Sequence, residues 1–510
     1  MGAAACSADQ HPAASGSESG TPVLDPAVVA ASEPDLDAIV DAVMKAEGTP
    51  GVAVAVVHGG AVVITKGYGV REAGTDLPVD ADTVFQIASL SKPLGSTVVA
   101  GAVGRGDIAW DQPVSSVLPA FALSDGYVTD NVTLADLYSH RSGLPGGTAG
   151  NDLETAGFTQ PVIIERLRYL PLAPFRTTYS YSNFGMTVGG LAAAAASGTT
   201  FADLADTVLF GPAGMTSTSF RYDDFAAREN ATRLHVKVSG DYQARFVRNA
   251  DAQAPAGGAS SNVTDLARWM LLQLGGGALD GEQIIDAAAL AETKRPQIRT
   301  RHDSDPNAPA AHYGLGWDIG PSNAVPDLLE WSHGGAFIHG AGTVVRILPA
   351  LGLGVVVLTN GQPYGVAEAI ADAYIDTVVN GAASLDWFGD GWGPVFRRLF
   401  EPTNYPAPTA PQPAQAASAY TGTYRNDYFG VVVVREGADG LELVWEPEGS
   451  TPLVLTHFDA DTFLIDTTPQ IQGTSSPVSF LRLEGAEAAT ALVLGPLEGA
   501  ADWQKVTRVD

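Results

Sequence analysis

Apolar positions fall into distinct textures along the chain. Leu36, Ile39, Val40, Val43 and Met44 recur at helical spacing after Pro34, and Gly48 follows where a left-handed cap belongs. This predicts an amphipathic helix opening the ordered region near Pro34. Residues 52–57 and 61–68 are β-rich runs separated by His58-Gly59-Gly60, whose glycines suit a hairpin turn. Between about residues 93 and 270, Ala- and Leu-rich helical segments dominate, including 134–138, 162–168, 188–196 and 263–274. Two further β runs, 341–347 and 352–358, flank a turn at Pro349, and 366–379 reads as a closing helix. Strands, then helices, then strands predict one α+β domain, its antiparallel sheet completed by both ends of the segment around an inserted helical lobe.

Residues 401–418 contain five prolines and no apolar period, which predicts an extended, stiff linker. Beyond it, eight short β-type runs separated by Gly, Asp and Pro predict a small antiparallel barrel. Leu441, Leu443 and Trp445 alternate there as one half-buried strand should. The expected division is a tail over 1–33, a large α+β domain over 34–382, a connecting segment with the Pro-rich linker over 383–418, and a barrel over 419–510.

Charge narrows the partners. The 510 residues carry 28 Lys plus Arg against 57 Asp plus Glu, a net charge of −29, so phosphate backbones and anionic headgroups repel the molecule. Nucleic acid is not an expected partner. No run approaches 18 consecutive apolar residues, so no transmembrane span is expected. The single cysteine, Cys6, excludes an intramolecular disulfide. It follows Ala3-Ala4-Ala5 and precedes a Ser-, Gly- and Pro-rich stretch, which looks like the end of a bacterial lipoprotein signal and makes Cys6 a candidate lipid anchor on an exported protein. An incidental cysteine in a floppy start fits the same residues.

Of the six lysines, one has a serine three residues upstream: Ser89-Leu90-Ser91-Lys92. Pro93 belongs in a first helical turn, which puts Ser89 at a helix N-terminus with Lys92 on the same face. A serine hydroxyl becomes nucleophilic when a neighbouring base takes its proton, and a lysine can do so once burial or positive potential lowers its pKa. The plain alternative is an N-cap serine beside a surface lysine. Tyr179-Ser180-Tyr181-Ser182-Asn183-Phe184-Gly185 is a dense polar and aromatic loop in which Tyr181 could relay a proton and Asn183 could hold both an amine and a substrate amide. Packing in an aromatic turn explains it equally. In Trp331-Ser332-His333-Gly334-Gly335-Ala336, the glycines would let a substrate backbone approach a strand while His333 offers a donor or positive charge. His58-Gly59-Gly60 matches that tripeptide, but the hairpin turn accounts for it. No Gly-x-Ser-x-Gly elbow and no zinc-like spacing of His, Cys, Asp and Glu occur, so neither an α/β-hydrolase nor a metal site is expected.

In order, Phe85-Gln86-Ile87-Ala88-Ser89-Leu90-Ser91-Lys92-Pro93, Leu137-Tyr138-Ser139-His140-Arg141-Ser142-Gly143-Leu144-Pro145, Tyr181-Ser182-Asn183 and His333-Gly334-Gly335 resemble the motifs of the serine β-lactamase and penicillin-binding-protein superfamily. The class C-like peptidases and esterases are most similar, and the resemblance covers about residues 34–382. It implies that Ser89 is acylated while Lys92 and Tyr181 share the proton transfers. It also implies that the backbone NH groups of Ser89 and Ala336 hold the oxyanion, that Asn183 orients Lys92 and the substrate amide, that His140 is structural, and that no cofactor is needed. The third motif departs from the usual Lys-Thr-Gly. A histidine there is expected to be partly charged, so carboxylate anchoring should be weaker and pH-dependent. The final barrel resembles lipocalin-like barrels that follow some of these peptidases.

The expected activity is therefore cleavage of amide or ester bonds through an acyl-serine. The expected substrates are small peptides, D-amino-acid amides, esters or β-lactams, handled by a D-residue-selective peptidase of the D,D-carboxypeptidase or D-aminopeptidase type, or by an esterase. A β-lactamase and a non-catalytic peptidoglycan-fragment binder are the alternatives.

Overall fold

Helix α2 (Glu33–Glu47) forms where the apolar period places it, with Leu36, Val40 and Val43 buried on one face and Gly48 closing it at φ 79°. The computed structural model describes residues 24–147, 149–300, 310–400, 405–447, 449–466, 475–495 and 502–510. Cys6 and most of the expected tail lie outside the described residues. Order begins ahead of the expected Pro34, because Asp25 caps a short helix α1 (Pro26–Ala30) that buries Val29.

The core sheet has eight strands: β1 (Gly51–His58), β2 (Ala61–Gly69), β3 (Ile298–Arg299), β4 (His312–Tyr313), β5 (Asp318–Pro321), β6 (Leu329–Phe337), β7 (Ala341–Leu348) and β8 (Leu353–Thr359). Their order is β2-β1-β8-β7-β6-β5-β4-β3, antiparallel throughout, so the two ends of the domain meet at β1 and β8. Gly59 and Gly60, at φ 58° and 82°, make the β1–β2 turn.

β1 is buried on both faces, and its alternation separates two cores. Val52, Val54 and Val56 pack with α2 and with α7 (Val366–Asn380). Ala53, Ala55 and Val57 face the helical lobe, which includes α3 (Ser91–Gly104), α4 (Asn151–Thr155), α5 (Asn183–Ala196) and α6 (Val263–Leu274). The lobe also holds a hairpin that its local pattern does not predict, Leu234–Val238 with Asp241–Phe246, turning at Ser239 and Gly240.

The connecting segment is helical ahead of its Pro-rich stretch. A π-helical turn (Trp387–Trp392) and a helix (Gly393–Leu399) return against the domain, where Arg397 pairs with the buried Glu47 at 2.7 Å. The second domain is a nearly closed barrel: β9 (Gly422–Asn426), β10 (Gly430–Gly437), β11 (Gly440–Trp445), β12 (Leu453–Val454), β13 (Thr456–Asp459), β14 (Thr462–Asp466), β15 (Ser475–Leu481), β16 (Ala491–Leu494) and β17 (Lys505–Arg508), in the order β12-β11-β10-β9-β17-β16-β15-β14-β13. Buried Leu455 separates β12 from β13, which pair at opposite ends of the sheet and so turn it back on itself. Alternating Val432, Val434, Leu443, Val478, Phe480 and Leu492 fill the interior.

Candidate active site

The 3-10 turn Ala88–Leu90 leads directly into α3, so Ser89 stands at the head of a buried helix. Ala88 holds φ 49°, a left-handed conformation that costs a non-glycine residue energy and projects Ser89 outward. The turn is locked by Ser91, whose hydroxyl donates to the Ala88 carbonyl at 2.6 Å and accepts from the Ala259 N–H at 2.9 Å. Thr343 of β7 fixes the preceding residue by donating to the Ile87 carbonyl at 2.8 Å.

Lys92 lies one turn on, with no solvent exposure. Its Nζ is 2.9 Å from Ser89 Oγ, 2.7 Å from Asn183 Oδ1 and 2.9 Å from the Ala256 carbonyl, with no carboxylate among these partners. Burial pushes its pKa well below the ordinary lysine value. A neutral amine has two hydrogens and one lone pair. The two carbonyl-type oxygens can only accept, so they take the hydrogens and leave the lone pair facing the Ser89 hydroxyl. That arrangement lets the amine receive the serine proton.

Tyr181 closes the other side. Its ring centroid is 4.5 Å from Lys92 Nζ, and its hydroxyl faces the Ser89 side chain. Burial raises its pKa further above neutrality, so it stands as a phenol. Ser182 caps α5 by accepting from the Gly185 N–H, which sets Tyr181 just before the helix and Asn183 in its first turn.

β6 supplies the third wall. β5 pairs with it only as far as Ser332, whereas β7 pairs with it through Phe337. Residues 333–337 therefore present one backbone edge beside the serine. Two expectations for this strand need correction. His333 is buried, and its ring is fully engaged: Nδ1 donates to the Gly334 carbonyl at 2.6 Å and Nε2 accepts from Tyr313 Oη at 2.9 Å. Burial pushes its pKa down to about 3, so it carries no charge at neutral pH. Gly335 admits protein, not substrate. A Cβ there would meet the Ile87 carbonyl, the Leu90 N–H at 2.9 Å and the Thr343 hydroxyl, so the glycine lets the nucleophile turn pack on the sheet.

The structure thus gathers Ser89, Lys92, Tyr181, Asn183 and the 333–336 edge in one place. His140 lies beneath them at φ 58°, accepting from the Ser182 N–H at 3.1 Å, with its ring 4.5 Å from Tyr181 and 4.8 Å from Tyr313. Burial pulls its pKa well down, and it props the tyrosine from behind. Tyr313 and Asn151 escaped the residue-level reading. Tyr313 stands in the visible run Tyr313-Gly314-Leu315-Gly316-Trp317, whereas Asn151 has no local signal. Among the described residues, no group of His, Cys, Asp and Glu could hold a metal ion, and no helix is long and apolar enough to cross a membrane.

A buried amine on a serine at the head of a helix, beside an antiparallel sheet, defines a serine hydrolase of the β-lactamase and transpeptidase fold. The Beta-lactamase family profile matches residues 36–380, and the chain belongs to that family. A second profile, Domain of unknown function (DUF3471), matches residues 406–499. The chain is 28% identical over 463 residues to the unguisins hydrolase ungD' of Aspergillus campestris, covering 86% of this chain and 82% of that protein. It is 26% identical over 348 residues to the D-alanyl-D-alanine-carboxypeptidase/endopeptidase AmpH of Escherichia coli, covering 67% and 88%. The octameric penicillin-binding protein homologue from Pyrococcus abyssi shares the fold at a TM-score of 0.58 and 17% identity, covering 93% of this chain and 99% of that one.

Proposed function

We propose that Ser89 attacks the carbonyl of an amide or ester and is acylated. Lys92 takes the hydroxyl proton as the bond forms, and Tyr181, a phenol in contact with Ser89, passes a proton to the leaving group. The backbone NH groups of Ser89 and Ala336 receive the oxyanion, and Asn183 orients the amine and the substrate amide. Water then releases the acyl group by the same transfers in reverse. One observation carries this reading: the fully buried Lys92 has two acceptors and one hydroxyl around it, and no acid.

The substrate preference follows from the neutral His333. A penicillin or a terminal D-alanine brings a carboxylate, and this third motif offers it no charge. We infer an amidase, peptidase or esterase acting on substrates whose leaving group carries no carboxylate, including D-residue amides, in preference to a D,D-carboxypeptidase or a β-lactamase. Catalysis is favoured over simple binding of peptidoglycan fragments because the hydroxyl and its amine stand within hydrogen-bond distance. An exported location and lipidation of Cys6 belong to the same proposal.

The test is intact-mass measurement after exposure to a fluorophosphonate, followed by rates on D-amino-acid amides, D-alanyl-D-alanine peptides, nitrocefin and p-nitrophenyl esters. The expected result is one adduct, lost in Ser89→Ala, with amides or esters turned over faster than nitrocefin. An unlabelled wild type, or nitrocefin as the fastest substrate, would overturn the reading.

A further inference from the structure

Between the two domains lies a buried polar contact that the mechanism above does not use. The loop from β9 to β10 carries Tyr428 and Phe429 out of the barrel and against the helical lobe. Tyr428 is 1% exposed, with its ring centroid 4.9 Å from Phe429 and 5.3 Å from Trp503. Its hydroxyl accepts from the Gly150 N–H at 2.7 Å and donates to Asp152 Oδ1 at 2.7 Å. These two residues flank Asn151.

Asn151 faces the active site with a fixed polarity. Its Nδ2 donates to the Gly147 carbonyl at 2.8 Å, which turns its Oδ1 toward Asn183. Asn183 Nδ2 donates to that oxygen at 3.3 Å, and Asn183 Oδ1 accepts from Lys92 Nζ at 2.7 Å. An amide has one accepting and one donating end, so each contact dictates the sense of the next. A reversed Asn183 would point hydrogens at the amine and claim the lone pair meant for Ser89. The turn itself holds this geometry weakly, since Gly147 and Gly150 both adopt positive φ and α4 has only five residues.

We propose that Tyr428 is a positioning residue: from the barrel, its hydroxyl clamps the Gly150–Asp152 turn and, through Asn151, sets the sense of the Asn183 amide that holds Lys92. The barrel is then part of the active-site framework and not an appended module. The inference rests on the reading of Ser89 and Lys92 as the acyl-transfer pair. The charged neighbours of the clamp are themselves paired. Arg166 donates to the Tyr428 carbonyl at 3.3 Å and pairs with Glu446 at 2.8 Å, while Glu154 on α4 pairs with Arg248 at 2.7 Å.

The experiment uses the full chain and a small alkyl fluorophosphonate, which has no amide for Asn183 to bind. Its saturable labelling is followed by intact mass, giving kinact and KI, with the thermal midpoint measured alongside. Tyr428→Phe keeps the ring and removes the clamp. Asn151→Ala breaks the same chain at the half-buried first residue of α4, and Glu446→Gln loosens the same interface without touching the Tyr428 hydroxyl. The expected result is a fall in kinact of about tenfold in Tyr428→Phe and Asn151→Ala, with KI within about twofold and Glu446→Gln unchanged. Unchanged kinact in Asn151→Ala or Tyr428→Phe would overturn the proposal. So would parallel losses in all three variants that track the thermal midpoint, which would mark a merely structural interface. A wild type that is not labelled at all would instead overturn the hydrolase reading.

Discussion

Asp152 offers a quantitative check on the domain interface. Its carboxylate accepts from Tyr428 Oη and from the Leu153 N–H at 2.8 Å, yet burial outweighs these bonds and raises its pKa from 3.8 to about 6. A rise of about 2 units corresponds to about 3 kcal/mol of differential stability. The folded state holds the proton more tightly than the unfolded state, so the cost is absent below about pH 3.8 and complete above about pH 6. Asp152→Asn cannot ionise and keeps an oxygen for Tyr428. Urea unfolding of variant and wild type at several pH values isolates the term. The stability of the variant relative to wild type should improve by about 2 kcal/mol between pH 4 and pH 7. A difference that stays flat with pH, or that moves the other way, would refute a buried carboxylate under the barrel loop.

Three further outcomes follow from other sites. Lys294 is half-buried against Trp317 and Trp331, and desolvation brings its pKa down to about 7, so its charge costs stability at acid pH. The stability advantage of Lys294→Met should shrink by about 3 kcal/mol between pH 6 and pH 9 in the same unfolding assay. Gly335→Ala should lower stability by about 1–3 kcal/mol and slow fluorophosphonate labelling, because its methyl would push on the Ile87–Leu90 turn. With the His333 pKa near 3, the KM for a carboxylate-bearing substrate should show no inflection between pH 5 and pH 8 that disappears in His333→Ala.

Local patterns were the legible part of this protein. The α2 helix, the β1–β2 hairpin, β7 and β8 around Pro349 and the barrel all follow from periodicity and turn residues that act over a few positions. The hairpin over 234–246 was missed because Lys237, Asp241 and Arg245 dilute its alternation. In the site, the three-residue spacing of Ser89 and Lys92 and the tight Tyr181-Ser182-Asn183 run were visible, since a helical turn and its cap fix them locally. What could not be read was set by distant partners. His333 loses its charge because Tyr313 and buried surroundings enclose it, and Tyr428 reaches Asp152 from 276 residues away. Gly335 looked like room for a substrate until the sheet packed against the nucleophile turn.

The central claim is that Lys92 is an uncharged amine at neutral pH, and its Cε reports this directly. With lysine labelled at 13Cε, the chain carries six signals, those of Lys45, Lys66, Lys92, Lys237, Lys294 and Lys505. Lys92→Met and Lys294→Met assign their own signals. The account predicts that at pH 7.5 the Lys92 signal already sits at the neutral-amine position, and that it moves to the ammonium position only on acidification. A Lys92 signal that remains at the ammonium position until pH 10, like an exposed lysine, would contradict it.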